Sequence, residues 1–325
     1  MKMPHQPVML REMLQELEPV DGEIYLDATF GVGGYSVAVL QKADCFVWAI
    51  DRDPSAMTRA SQISQPRLKV LHGNFGNMET LLAKRGINQL DGIVMDLGVS
   101  SPQIDDAKRG FSFRHDGPLD MRMSMEGPTA AEVINKVDEA DLTKIIRTFG
   151  EERLARQIAK AIIAARIQKP ILSTCALADI IRSAVPRAKD GLDPATRTFM
   201  ALRIFINDEL GELERALNSA ERLLAPGGRI VAVAFHSLED RQIKRFLDSR
   251  TGYSTSRSRH LPPVPAKKKA TFHQKRRRAI KPTKNETQIN PRARSARLRT
   301  ALRTDIQADG YLPSQNTLNH SGAIV

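Results

Sequence analysis

The 325-residue chain is short of cysteine, of aromatic residues and of long apolar runs, and each shortage removes a class of protein. Its two cysteines, Cys45 and Cys175, form no CxxC pair. That excludes a disulfide framework or a cysteine-rich zinc site and fits a reducing, cytoplasmic setting. No stretch reaches the ~18 apolar residues of a membrane span. The opening residues Met1-Lys2-Met3-Pro4-His5 have no apolar h-region, so no secretory signal is expected. Aromatics are 5% of the chain, too few for a broad base-stacking platform. Acids are missing from one stretch. Between Arg257 and Arg303 there are 16 Lys/Arg and a single acid, Glu286, a local charge of +15 in a chain of net +12. This arm contains Lys267-Lys268-Lys269 and Lys275-Arg276-Arg277-Arg278. It reads either as a phosphate-neutralising element for nucleic acid or as a solvated tail. Its few apolar anchors count against a membrane surface.

What is present is a rhythm of strands and helices. Ile24-Tyr25-Leu26, Phe46–Ile50, Leu68–Leu71 and Gly92–Met95 are apolar runs of strand length, with helical patterns between them. Three of them end on a carboxylate: Asp27, Asp51 and Asp96. The alternation predicts an α/β fold with a doubly wound, parallel-rich sheet. From Thr129 to Val185 the pattern is helical, with Leu154, Ile158, Ala161, Ile162 and Ala165 on one face and Arg153, Arg156 and Lys160 on the other. Phe199–Leu224 reads as one long helix stopped by Pro226-Gly227-Gly228, and Ile230–Phe235 resumes the sheet. The expected organisation is therefore a discontinuous domain over residues 1–106 and 196–303, including the basic arm 257–303. A smaller all-helical domain for substrate recognition is inserted at 107–195. Residues 304–325 are expected to form a polar, disordered tail.

The first strand leads into Asp27-Ala28-Thr29-Phe30-Gly31-Val32-Gly33-Gly34-Tyr35-Ser36, a glycine-rich turn opening a helix. The pattern is GxGG, which matches the dinucleotide fingerprint poorly. Asp51 closes the second strand and can accept hydrogen bonds from ribose hydroxyls. Phe75 follows His72-Gly73-Asn74 and is either an adenine-packing ring or a core aromatic. Asp96 opens a polar, turn-rich block, Asp96–Gln103, that runs on to Arg109-Gly110-Phe111-Ser112-Phe113 and Pro118–Met123. So much polar sequence at a strand end marks a site where α/β sheets bind ligands.

The carboxylate-lined turn resembles the class I S-adenosylmethionine-dependent methyltransferases, whose cofactor has no pyrophosphate to cradle. The glycine turn, Asp96–Met123, Arg197–Arg203, Phe235-His236-Ser237-Leu238-Glu239-Asp240-Arg241 and Asn290–Arg299 are together similar to one family, RsmH, also called MraW, of ribosomal RNA small-subunit methyltransferases. The similarity runs from about His5 to Ala301. It implies S-adenosyl-L-methionine as cofactor and 16S ribosomal RNA, within a small subunit, as partner. It further implies methylation of the exocyclic 4-amino nitrogen of a cytidine in the decoding region. The cofactor contacts it implies are Gly33, Gly34, Tyr35, Asp51, Phe75, Asp96 and Gln103. Tyr35 stands where the motif carries a histidine, so only its backbone contact is expected to persist.

A cytosine amine is a weak nucleophile, so the enzyme must orient it and accept its protons. Asp96 and His236 are the catalytic candidates; His236 either contacts the target nucleotide or takes a proton after transfer. The acidic-or-Asn-Pro-Pro-aromatic tetrad of DNA amine methyltransferases is absent here. A metal bound by His236, Glu239 and Asp240 is set aside, because transfer from a sulfonium needs no Lewis acid. Methylation at ring carbon 5 would need a thiolate, and neither cysteine sits at a strand end beside the turn. The rival readings are a nicotinamide oxidoreductase, weakened by the missing GxGxxG, a non-catalytic ribosome-assembly factor, and a methyltransferase of another RNA base.

Overall fold

The computed structural model describes residues 7–187, 191–252 and 269–308. These residues fall into two units, one reaching Gly98 and resuming at Leu210, the other spanning Val99–Glu209. The first unit is built on strands β1 (Ile24–Asp27), β2 (Phe46–Asp51), β3 (Leu68–His72), β4 (Leu90–Asp96), β5 (Leu224–Ala234), β6 (Phe272–His273) and β7 (Arg297–Arg303). Their order is β3-β2-β1-β4-β5-β7-β6. The first five run parallel, and β7 lies antiparallel to both β5 and β6. This is the class I methyltransferase α/β fold. The order reverses between β1 and β4, which places the ligand-binding crevice at their carboxyl ends.

Alternation along the strands divides the core. Leu26, Ile93, Met95, Ile230 and Ala232 face one side of the sheet. There they pack on Met78 and Leu82 of α4 (Met78–Ala83), Leu213 and Leu217 of α11 (Glu209–Leu223), and Ile243 and Leu247 of α12 (Ser237–Arg250). Tyr25, Val94, Val231 and Val233 face the other side. Their partners are Met13 and Leu17 of α1 (Leu10–Leu17), Val39 of α2 (Gly34–Lys42) and Ala56 of α3 (Pro54–Ala60). A strand buried on both faces needs apolar side chains at consecutive positions. That requirement is why these runs were legible.

The second unit contains α5 (Ser101–Asp105), α6 (Ala130–Lys136), α7 (Glu139–Gly150), α8 (Ala155–Gln168), α9 (Thr174–Ala184) and α10 (Ala195–Ile206). The expected boundaries at 106/107 and 195/196 move outward to 98/99 and 209/210. Packing explains the later shift. A Cβ on Gly150 would stand 2.7 Å from the Arg197 carbonyl oxygen, so α7 and α10 touch backbone to backbone. The Phe149 and Phe205 rings also pack at 6.3 Å. The single helix expected over Phe199–Leu224 is broken as well. Asn207 ends α10 by accepting the Met123 N–H (2.8 Å) and donating to the Met121 carbonyl (2.8 Å), and Asp208 turns into the left-handed region at φ 46°. A tertiary partner stops this helix, and periodicity cannot show it.

The largest correction concerns the basic arm. Its end, Arg297–Arg303, is β7, an interior strand, and it also supplies β6 and α13 (Lys284–Ile289). Arg299 and Arg303 are buried, and their guanidinium groups bond inside the fold. Arg299 binds Asp240 Oδ1 at 2.6 Å and the Arg277 carbonyl at 3.0 Å. Arg303 binds the carbonyls of Glu221 and Thr271 at 2.8 and 2.9 Å. Lys275, Arg276 and Arg277 reach Glu18, Glu16 and Asp248 at 3.1, 3.6 and 3.2 Å. Much of the local +15 therefore organises the chain itself. The expected tail also starts later than residue 304, since the Thr304 N–H bonds the Thr271 carbonyl. Arg257, Lys267, Lys268 and residues 309–325 lie outside the described residues.

Asp240 joins α12 to β7, with Oδ1 on Arg299 and Oδ2 on Arg297 at 2.9 Å. Burial pushes its carboxyl up, but the bonds from Arg299 and Arg297 outweigh it and hold the group below the usual range. Removing one partner of such a pair strands a charge in the interior, which costs about 3–5 kcal/mol. Arg297 is half exposed on its side chain, where a bridge contributes below about 1 kcal/mol. Arg299→Ala is therefore expected to lower unfolding free energy in urea by about 3 kcal/mol or more, and Arg297→Ala by under about 1 kcal/mol. Equal losses would place the anchor elsewhere.

Candidate active site at the carboxyl end of the sheet

The end of β1 runs into the glycine turn, and short bonds tie that turn to its neighbours. The Phe30 N–H donates to the Ile50 carbonyl, and the Ala28 N–H to that of Val94. Thr29 Oγ1 accepts the Asp96 N–H at 2.7 Å, which joins the turn to the end of β4. Asp51 Oδ2 accepts the Gly31 N–H at 2.7 Å and Oδ1 the Asp53 N–H at 2.8 Å. Each carboxylate oxygen has a second lone pair, so Asp51 can both hold the turn and accept from ribose hydroxyls.

Gly33 sits at φ 82°, and a Cβ there would meet Ile63 Cδ1 at 2.8 Å and Phe30 Cε2 at 2.9 Å. Gly34 lacks room for a different reason: its Cβ position is 2.3 Å from Pro7 Cγ. Tyr35 is buried, and its hydroxyl donates to the Val8 carbonyl. Its ring is thus committed to the core, and what it can offer a ligand is an N–H in the first turn of α2, where helical partners are lacking. Phe75 begins a short 3-10 segment and packs partly against the core. Sequence reading missed its support, Glu212, whose carboxylate accepts the Gly76 N–H at 2.8 Å and the Asn74 amide at 3.2 Å. Nothing in the local sequence around Glu212 signals that role. Gln103 lies in the second unit, where its Oε1 accepts the Ser100 N–H at 2.9 Å and caps α5.

The electrostatics of the mouth are those of crowded acids. Asp27 accepts from the Thr29 N–H at 3.1 Å and from Ser36 Oγ at 2.7 Å, yet burial raises its pKa to about 6. Asp96 is pushed well above the usual carboxylate range, first by burial and then by the charges of Asp27 and Glu239. Its Oδ1 is buried without a hydrogen-bond partner among the described residues. Asp51 is raised too, mainly by burial.

His236 follows the end of β5 as the N-cap of α12. Its Nδ1 accepts the Glu239 N–H at 3.3 Å. In return Glu239 Oε2 accepts the Phe235 and His236 N–H groups at 2.8 and 3.2 Å. This is a capping box with histidine in place of Ser or Thr. Glu239, three residues after His236, fixes the turn; that spacing was readable. Asp240 points instead to Arg297 and Arg299, so the three groups once weighed as metal ligands serve two separate structures.

Asp27 yields a stability prediction with a definite sign. Its folded pKa lies about two units above the unfolded value, so its contribution is complete below pH ~4 and is lost as pH rises through about 6. Two units correspond to about 3 kcal/mol. Wild-type protein is expected to lose roughly 2–3 kcal/mol relative to Asp27→Asn between pH 4 and 7. Parallel stability curves from urea titrations would show that Asp27 does not titrate in this window.

Known proteins agree with the site's character. The model of the MraW methylase family matches residues 2–304. Ribosomal RNA small subunit methyltransferase H of Paramagnetospirillum magneticum is 54% identical over 308 residues, 93% of this chain and 96% of that protein. The same-named protein of Rhodospirillum centenum is 55% identical over 307 residues, 94% and 93% of the two chains. Among solved structures, a putative methyltransferase from Streptococcus mutans in complex with SAH overlaps at TM-score 0.40 and 11% identity, over 92% of this chain and 99% of that one. That overlap is too loose to carry inference. The sequence matches are not: the chain belongs to the MraW methylase family and is an S-adenosyl-L-methionine-dependent methyltransferase.

Proposed function

We propose that the chain methylates small-subunit ribosomal RNA, at the exocyclic 4-amino nitrogen of a cytidine in the decoding region of 16S rRNA. The relatives' names support ribosomal RNA of the small subunit as substrate. The cytidine amine is supported by the buried, unpartnered Oδ1 of Asp96 at the mouth of the sheet. That atom is an acceptor looking for a donor. The whole reading places the protein in the cytoplasm with the small subunit; among the described residues no helix is long and apolar enough to cross a membrane.

The residues fit the cofactor. The charges of Asp27 and Glu239 raise the cost of ionising Asp96, and a bound cation would relieve that cost. Asp51 would hold the ribose hydroxyls, Phe75 would pack on adenine, and the backbone of Gly33, Gly34 and Tyr35 would line the turn. Asp96 lies by the sulfonium and Gln103 is the remaining contact. When bound, the sulfonium supplies an electrophilic methyl group. The chain's own part is to orient the amine, accept its hydrogen bonds and keep water away. Holding a near-attack geometry contributes ~7–11 kcal/mol, and a hydrogen bond to a charged acceptor roughly 1.5–3 kcal/mol.

Carbon-5 methylation is disfavoured by geometry. Cys45 sits before β2 begins, six residues and about 20 Å of extended chain from Asp51. Burial raises its thiol, and that of Cys175 in the second unit, above the usual range, which suppresses the thiolate such chemistry needs. The exposed bases Arg278, Lys281 and Lys284 remain to meet RNA phosphates, with the helical unit as a second contact.

Two measurements test the reading. Mass spectrometry of nucleosides from small-subunit RNA treated with enzyme and labelled cofactor is expected to show N4-methylcytidine; label on another nucleoside or none overturns it. The acidic mouth also predicts linkage. Burial and the charges of Asp27 and Glu239 push the Asp96 carboxyl up, and a sulfonium beside it would pull it down again, so S-adenosylmethionine is expected to release protons on binding and to bind more tightly as pH rises. The product S-adenosylhomocysteine, which lacks the sulfonium charge, should release fewer. Calorimetry in buffers of different ionisation enthalpy measures both, and equal proton release contradicts the placement of Asp96.

A further inference from the structure

Two buried side-chain atoms at this mouth lack hydrogen-bond partners among the described residues: Asp96 Oδ1 and His236 Nε2. Asp96 ends β4, and its register partner on β5 is Val233, three residues before His236. The two residues therefore stand on neighbouring strand ends. The His236 side chain is 9% exposed, so its polar ring atom is withdrawn from solvent without compensation, which costs free energy unless a ligand completes it.

The tautomer follows from the capping box. Nδ1 accepts the Glu239 N–H, so it carries no hydrogen, and the neutral ring must carry its hydrogen on Nε2. Nε2 lies 3.2 Å from Glu239 Oε1, but its N–H is not aimed there, and no bond forms. His236 thus offers a donor and has no open lone pair. Of the two roles weighed from sequence, contact with the nucleotide and proton acceptance, this geometry suits the first alone.

We infer that His236 Nε2–H donates to ring nitrogen N3 of the target pyrimidine while Asp96 Oδ1 accepts from its 4-amino group. The inference rests on the cytidine reading above and deepens it. Cytosine presents a donor at N4 beside an acceptor at N3. Uracil presents the reverse, an acceptor at O4 beside a donor at N3. An acceptor and a donor offered from neighbouring strand ends match the first and leave four polar groups mispaired with the second. His236 is therefore a specificity-determining residue, and Glu239, which sets its tautomer, is a positioning residue.

Replacing N3 by carbon in the target nucleotide tests this. Single-turnover methylation of RNA carrying 3-deazacytidine should be slower than that of the cytidine RNA by about tenfold or more with wild-type enzyme. His236→Asn keeps an N-cap oxygen for the Glu239 N–H but removes the Nε2 donor. It should be slow on cytidine by a similar factor and lose nothing further on 3-deazacytidine. Losses that multiply, or equal wild-type rates on the two RNAs, overturn the assignment, and the second result needs no variant. Nitrogen-15 spectra of His236 give a readout apart from turnover: the Nε2–H tautomer is expected for the neutral ring, and the Nδ1–H form contradicts it. Identifying the wild-type product in the same assay separates the two claims. If N4-methylcytidine is absent, the cytidine reading fails; if it forms with no dependence on N3, only the role of His236 fails.

Discussion

The structure depends on keeping carboxylates together where carboxylates least want to be. Asp27, Asp96 and Glu239 are drawn to one end of the sheet, out of water; burial penalises ionisation of Asp27 and Asp96, and the charges of Asp27 and Glu239 add to the cost at Asp96. The fold offsets that penalty through geometry outside the cluster. Asp27 is bonded by Thr29 and Ser36, Glu239 by two N–H groups of its own turn, and the Asp96 backbone by Thr29. Only the side chain of Asp96 is left wanting. A site that repels its own charge while empty is prepared for a positively charged guest.

Around this acid-rich end the molecule places its bases where they hold elements together. Arg297 and Arg299 clamp the start of α12, the helix capped by His236. Lys275 and Arg276 clasp the acids at the end of α1. The stretch that looked like a free cationic arm is thus also the girdle that holds the sheet's far half in register. Among its described bases only Arg299 and Arg303 are buried, and the others stay exposed.

Legibility in the sequence followed burial. Four of the five parallel strands were plain because they are apolar on both faces, and three end abruptly on an acid, whereas the edge strand β3 carries an exposed Lys69 within a shorter apolar run. β7 was missed because its outline is written in arginine: Arg297-Leu298-Arg299-Thr300-Ala301-Leu302-Arg303 alternates with the period of a strand, but a charge count hides the period. The split between α10 and α11 was invisible because Asn207 stops the helix by bonding residues more than 80 positions away in sequence. The site shows the same division. Asp27, Asp51, Asp96 and His236 stand at strand ends and could be found by pattern. Glu212 acts across 136 residues on Gly76 and could not.

The position of β7 has a consequence for the birth of the protein. It lies between β5 and β6, so the sheet's interior is closed by the strand that follows all its partners in chain order. Until Arg297–Arg303 leaves the ribosome, β5 presents an unsatisfied edge, and unsatisfied edges recruit other chains. The discontinuous first unit compounds the delay, because Gly98 must wait for Leu210 across an entire helical body. Premature termination anywhere upstream of Arg297 would therefore release a sticky, protease-sensitive fragment in place of a weakened enzyme, and cellular quality control would see it first.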